Sequence, residues 1–96
     1  MGLIVKKLTI NNKQGLHARP AAIFVQTANK FNSAVTIRRG KEEVNGKSIM
    51  GILMLGAERG ARITLEIEGS DAELALTELE KILSKEAPLI LKKRLI

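Results

Sequence analysis

The chain has 96 residues, the size of one domain and too short for a multi-domain enzyme. Hydrophobic residues make up 45% of it and charged residues 27%, a balance that suits a packed core and excludes a disordered, solvating chain. Cysteine is absent and His17 is the single histidine, so a disulfide framework, a thiolate nucleophile and a Cys-ligated metal are excluded, and no cofactor or metal is expected.

In chain order, Ile4, Lys6, Leu8 and Ile10 alternate with Val5, Lys7 and Thr9, the period of a strand over residues 3–10. The two lysines interrupt what would be the apolar region of a signal peptide, and no apolar run reaches the roughly 18 residues of a membrane span. Cytoplasmic placement without membrane insertion is the expectation. A polar connection over residues 11–15 leads to Ala21, Phe24, Val25, Ala28 and Phe31 at helical spacing, which predicts a first helix over residues 18–30. Pro20 falls in its opening turn, where a missing N–H forfeits no intrahelical bond, and His17 stands at the helix mouth.

Val35 and Ile37 alternate with Thr36 and Arg38, and Arg39-Gly40-Lys41 turns the chain into a short strand over residues 42–44. Ser48 precedes a mostly apolar run, residues 49–55, which Gly56 closes, the pattern of a short helix with Ser48 as N-cap. Residues 62–68 put Ile63, Leu65 and Ile67 on one side and Arg62, Thr64, Glu66 and Glu68 on the other, so one sheet face is wet. Ser70 and Glu73 have capping-box spacing, and Ala72, Ala75, Leu76, Leu79, Ile82 and Leu83 form the apolar stripe of a third helix ending near Lys85. Pro88 then divides a domain, residues 1–88, from an apolar and basic C-terminal tail, residues 89–96, for which oligomerisation and membrane-surface contact are both open. The order β-α-β-β-α-β-α predicts an α/β (α+β) open-faced sandwich, a four-stranded antiparallel sheet with three helices on one face.

The net charge is +6 and unevenly spread. Residues 1–47 hold nine Lys and Arg against two Glu, residues 48–84 are net −4 and residues 85–96 net +3. That reading puts the positive field around His17 and favours an anionic partner: nucleic acid, a phosphate group or an acidic protein surface.

His17 lies in the run Gly15-Leu16-His17-Ala18-Arg19-Pro20-Ala21. At a helix start the backbone N–H groups lack intrahelical acceptors, and with the helix dipole they make a place for an anion. The same positive end disfavours an imidazolium and leaves a ring lone pair for attack on phosphorus. The Arg19 guanidinium can pair with the oxygens of an attached phosphoryl group, and Gly15 lets the preceding turn stay close. These residues also fit a plainer reading, in which His17 caps the helix or lies on the surface and Arg19 is one solvated charge.

Two separated motifs, GLHARPA at residues 15–21 and VNGKSIMGILMLG at residues 44–56, resemble those of the HPr family, the histidine-containing phosphocarrier proteins of the bacterial phosphoenolpyruvate-dependent sugar phosphotransferase system. The likeness extends over residues 5–83. It implies the same open-faced sandwich and a carrier that is consumed and regenerated, not an enzyme. It further implies that His17 accepts a phosphoryl group at Nδ1 from phosphorylated enzyme I and donates it to sugar-specific permease subunits, with Arg19 as the active-site arginine. Ser48 matches the serine that an ATP-dependent kinase modifies, which implies a serine kinase/phosphorylase and a catabolite-control transcription factor as further partners.

Ser48 equally fits a plain helix cap, and the two roles are compatible. A phosphate there adds about −1.5 to −2 charge at a helix N-terminus and changes the field a docking partner meets. Of residues 49–55 only Gly51 is not hydrophobic, more than a turn and a half of helix can bury. The remainder packs under a loop or the tail, or it forms a docking surface of Ile49, Met50 and Leu53, the reading the resemblance favours. Gly46 reads as a looser approach to Ser48 than the family pattern has. Two rivals stand beside the carrier. A nucleic-acid-binding module suits a pI near 10 and an open sheet, but the aromatic residues are only Phe24 and Phe31, both in the first predicted helical segment, and Glu66 and Glu68 face outward. The second is a purely regulatory HPr-like protein, in a carbon-catabolite or nitrogen-type phosphorelay; action through phosphorylated Ser48 alone, without phosphoryl relay, resembles paralogues in which the histidine is replaced, so the presence of His17 counts against that as the sole role and leaves a dual role open.

Overall fold

Alternating and helical hydrophobic patterns sort this chain into a layer of strands and a layer of helices. The computed structural model describes residues 2–84, which run as β1 (Gly2–Thr9), α1 (Ala18–Ala28), β2 (Ala34–Arg39), β3 (Glu42–Asn45), α2 (Ile49–Leu55), β4 (Arg62–Gly69) and α3 (Ala72–Ser84). The strands form one antiparallel sheet in the order β1-β4-β2-β3. β4 thus separates β1 from β2, which run parallel to each other with α1 between them in sequence, a split β-α-β unit. The open-faced sandwich and its element order are those the sequence predicts.

Register brings the apolar positions into rows. Ile67 faces Ile4 on one side and Val35 on the other, Leu65 faces Ile37, and Ile63 faces Leu8. Against these rows pack Phe24 and Ala28 of α1, Ile52 and Leu55 of α2, and Ala75, Leu79 and Leu83 of α3. A fully buried side chain of the Leu, Ile or Phe class contributes about 1.5–3 kcal/mol. β4 buries three of them between two paired neighbours, so it is the strand on which both halves of the sheet depend.

Three readings need correction or trimming. Helix α1 ends at Ala28, because the Lys30 amide bonds the Thr27 carbonyl at 3.0 Å and tightens the chain into a turn before residue 30. The Ser70 and Glu73 capping box does not form: the first bond of α3 runs from the Ala75 amide to the Asp71 carbonyl at 3.0 Å, which makes Asp71 the residue ahead of the helix. The Asp71 carboxylate instead accepts from the Asn32 and Ser33 amides, at 2.9 and 3.0 Å, and from the Ser33 hydroxyl, tying the start of α3 to the turn before β2. Gly46 is buried, not loose; its amide bonds the Val35 carbonyl at 2.7 Å, and a Cβ there would lie 2.5 Å from Val35 Cγ1. The end of the third helix near Lys85, the division at Pro88 and the tail, residues 89–96, lie outside the described residues.

Candidate functional site

The loop between β1 and α1 is anchored at both ends, and the anchoring leaves the His17 side chain exposed. The Asn11 and Asn12 amides both donate to the Leu83 carbonyl, at 2.8 and 3.1 Å, fastening the loop to the end of α3. Asn12 is buried, and its Nδ2 donates to the Gly15 carbonyl at 2.8 Å while the Gly15 amide returns to the Asn12 carbonyl at 3.1 Å. Gly15 has φ +66, and a Cβ on it would sit 2.8 Å from Glu58 Cα and 2.9 Å from the Ala57 carbonyl oxygen, so this turn requires glycine on both counts. Leu16 is buried and its amide donates to the Ala57 carbonyl at 2.8 Å.

His17 follows as the N-cap of α1 in extended conformation, exposed, with no side-chain hydrogen bond to the helix. The first helical bond runs from the Ala21 amide to the His17 carbonyl at 2.7 Å. The amides of Ala18 and Arg19 therefore precede any intrahelical acceptor, and Pro20 has no N–H, so this helix end offers two amide donors. No acidic residue occupies the first turn to offset its positive end. Arg19 is exposed and enters no ion pair among the described residues. Gln14, His17, Ala18, Arg19 and Pro20 line one open depression. An imidazole there can attack an incoming phosphorus, and the oxygens of the attached group can take hydrogen bonds from the two amides and the guanidinium. Among the described residues no group of His, Asp and Glu gathers that could hold a metal ion.

Ser48 is the N-cap of α2, and its Oγ accepts from the Gly51 amide at 3.1 Å. The capping role is realised. Gly56, at φ +62, closes the helix, and the Arg39 guanidinium donates to the Leu55 and Gly56 carbonyls, each at 3.1 Å. Ile52 and Leu55 are buried, while Ile49, Met50 and Leu53 are 38%, 64% and 42% exposed. The three expected docking residues thus reach solvent. Met54, at 74%, is the most exposed of the helix and was missed, although it follows Met50 by four positions and shares its face. The Leu16–Ala57 bond joins the far end of α2 to the His17 loop, so Ser48 and that loop stand at opposite ends of about 10 Å of helix. The sequence carried no signal for Ala57, Arg39 or the Asn12 amide at Leu83 as supports of this region, since each of these contacts spans a long separation in the chain; the bonds between Asn12 and Gly15 are local.

The charge crowded into residues 1–47 does not all gather at His17. Lys6 reaches Glu80 of α3 at 2.9 Å, Lys47 Nζ donates to the Phe31 carbonyl at 2.7 Å, Arg39 caps α2, and Arg38 pairs on the open sheet face with Glu66 and Glu43. Arg38 is held above its ordinary value by the hydrogen bond to Glu66 first and to Glu43 second. The positive character at His17 comes from the helix end and Arg19.

Comparison with known proteins bears on this geometry. The family described as the PTS HPr component phosphorylation site matches residues 4–85. The HPr-like protein Crh of Halalkalibacterium halodurans is 43% identical over 84 residues, 88% of this chain and 100% of the relative. The phosphocarrier protein HPr of Treponema pallidum is 40% identical over 80 residues, 83% and 91% of the two chains. The crystal structure of a phosphocarrier protein HPr from Bacillus anthracis superimposes with a TM-score of 0.82 at 44% identity, covering 86% of this chain and 99% of that one. A family match over most of the chain, with an HPr structure of the same architecture, places this chain in the HPr family of phosphotransferase-system phosphocarrier proteins.

Proposed function

We propose that His17 is the phosphoryl acceptor, taking the group from phosphorylated enzyme I and passing it to sugar-specific permease subunits in the cytoplasm, within a domain of residues 1–88. One observation carries the reading: an exposed imidazole, making no capping bond of its own, at the amino end of a helix whose first two amides lack acceptors. A ring nitrogen attacks phosphorus in line; the N–P bond forms as the bond to the donor breaks, and the reverse displacement delivers the group to the next acceptor. Arg19 and the Ala18 and Arg19 amides bear the oxygen charge in transit. The protein is a co-substrate of the transferases on either side of it, not a catalyst.

Ile49, Met50 and Leu53, joined by Met54, form the docking face in this proposal, and Ser48 is a regulatory phosphorylation site for a serine kinase/phosphorylase, read by a catabolite-control transcription factor. A second reading, regulation alone through Ser48, draws support from the Crh proteins of Halalkalibacterium halodurans and Bacillus subtilis, 43% and 40% identical. The two readings separate on one measurement. Incubation with phosphoenolpyruvate and enzyme I should give an acid-labile phosphate on the parent and none on His17→Ala, with identical circular dichroism. Labelling that survives in His17→Ala sinks the assignment, and an unlabelled parent gives the regulatory reading the field.

A further inference from the structure

The open face of the sheet holds a second group of cations that the His17 site does not use. In register, Lys7 of β1 faces Thr64 of β4, Thr64 faces Arg38 of β2, and one row on Thr9 faces Arg62. Lys7 and Arg62 are therefore diagonal neighbours on one face. Arg38 is bound by Glu66 at 2.8 Å and by Glu43 at 3.2 Å, which offsets its charge. Lys7 and Arg62 enter no ion pair among the described residues. Glu66 is the other diagonal neighbour of Lys7 on this face, but it pairs with Arg38, so the charges of Lys7 and Arg62 are left without an ion-pair partner among the described residues. Both cations, with Arg38 and the hydroxyl-bearing Thr9 and Thr64, line a single shallow depression of about 470 Å³. Gly40, at φ +60, forms part of its wall, and a Cβ there would meet no atom within 4 Å, so the space stays open. The depression shares no residue with the one beside His17.

We propose that this depression binds the phosphate of a small soluble phosphomonoester. The two unpaired cations match the charge of about −1.5 to −2 that such a group carries at neutral pH, and the flanking hydroxyls and Arg38 add donors. No aromatic residue lines it, so nucleic-acid bases find no stacking platform. The site is open to solvent and its affinity therefore falls with salt.

The test is an amide-resolved NMR titration of the full chain with glycerol 3-phosphate, and with glycerol as the blank, at low and high salt. Saturable shifts are expected at Lys7, Thr9, Gly40, Arg62 and Thr64, retained in His17→Ala and weakened at least about tenfold in a Lys7→Gln, Arg62→Gln double variant. Both side chains are exposed, so the double variant should fold; if it does not, Lys7→Gln alone carries the test. Shifts confined to Ala18 and Arg19, equal response to glycerol, no saturation, or undiminished binding in the variant would overturn the proposal. Tighter binding of a single-stranded oligonucleotide or of anionic lipid vesicles to the same residues would overturn it as well. Retention in His17→Ala keeps this outcome distinct from the fate of the carrier assignment.

Discussion

The Leu16 amide donates to the Ala57 carbonyl across 2.8 Å, and this bond fastens the loop that presents His17 to the end of helix α2. Gly15 closes the same contact, packed on the backbone of residues 57–59. The imidazole and the exposed side chains of α2 consequently share one frame, and a partner that rests on Met50 and Met54 meets His17 at a defined distance. Position, more than chemistry, is what such a carrier supplies.

Gly15→Ala tests that frame. The added methyl forces a left-handed backbone on alanine and meets Glu58 Cα and the Ala57 oxygen at under 3 Å. A loss of about 2–4 kcal/mol in urea-unfolding stability is expected from strain and overpacking together. Stability equal to that of the parent would show that the loop does not need this contact.

Ser48→Ala removes the acceptor for the Gly51 amide. The expected loss is about 1 kcal/mol, measured by denaturant unfolding, together with loss of any phosphate added by a cognate kinase and ATP. Phosphorylation that persists in the variant would move the regulatory site elsewhere.

Met50→Gln with Met54→Gln changes two exposed side chains and should alter stability by no more than about 0.5 kcal/mol. In the carrier reading the same pair raises the apparent KM of enzyme I for this protein several-fold while leaving the rate at saturation nearly unchanged. An unchanged KM would place the docking face away from α2.

Asp71 supplies a pH dependence with a definite sign. The Ser33 hydroxyl, and then the Asn32 amide, hold its carboxyl below the ordinary value of 3.8. A group depressed on folding stabilises the native state above its unfolded value, and that contribution disappears as pH falls through the folded one. Asp71→Asn should therefore unfold at lower urea than the parent at neutral pH, and the gap should close in acid below 3.8. A gap of constant size across that range would mean that the carboxylate charge is not what the turn before β2 requires.

Much of the fold was legible because face and period are local properties. Ile63, Leu65 and Ile67 declare a strand with one wet face wherever the chain goes, and Pro20 with Phe24 and Ala28 declares a helix whose mouth is His17. Ser48 and Gly56 bracket α2 for the same reason. Met54 was legible too, by its spacing from Met50. The long-range supports were not: Asn12 holds the loop to Leu83, and Ala57 holds Leu16, and neither contact leaves a trace in neighbouring residues. Gly46 misled because a glycine reads as freedom when its role is to admit Val35. The Ser70–Glu73 spacing misled because Asp71, one residue later, starts the helix instead.

The amino-acid order by itself determined which residues form strands and helices, which faces are apolar, and that one histidine stands at a helix's amino end, because each depends on a handful of adjacent side chains and on backbone sterics. Only the tertiary structure decided where the charges go. Adjacent Lys6 and Lys7 part to opposite faces of β1, one to Glu80 and the other to the open sheet, and adjacent Arg38 and Arg39 part in the same way toward Glu66 and the end of α2. Strand alternation separates neighbours in sequence, and sheet pairing supplies partners from distant segments, so a net charge counted along the chain says little about the field at any one site.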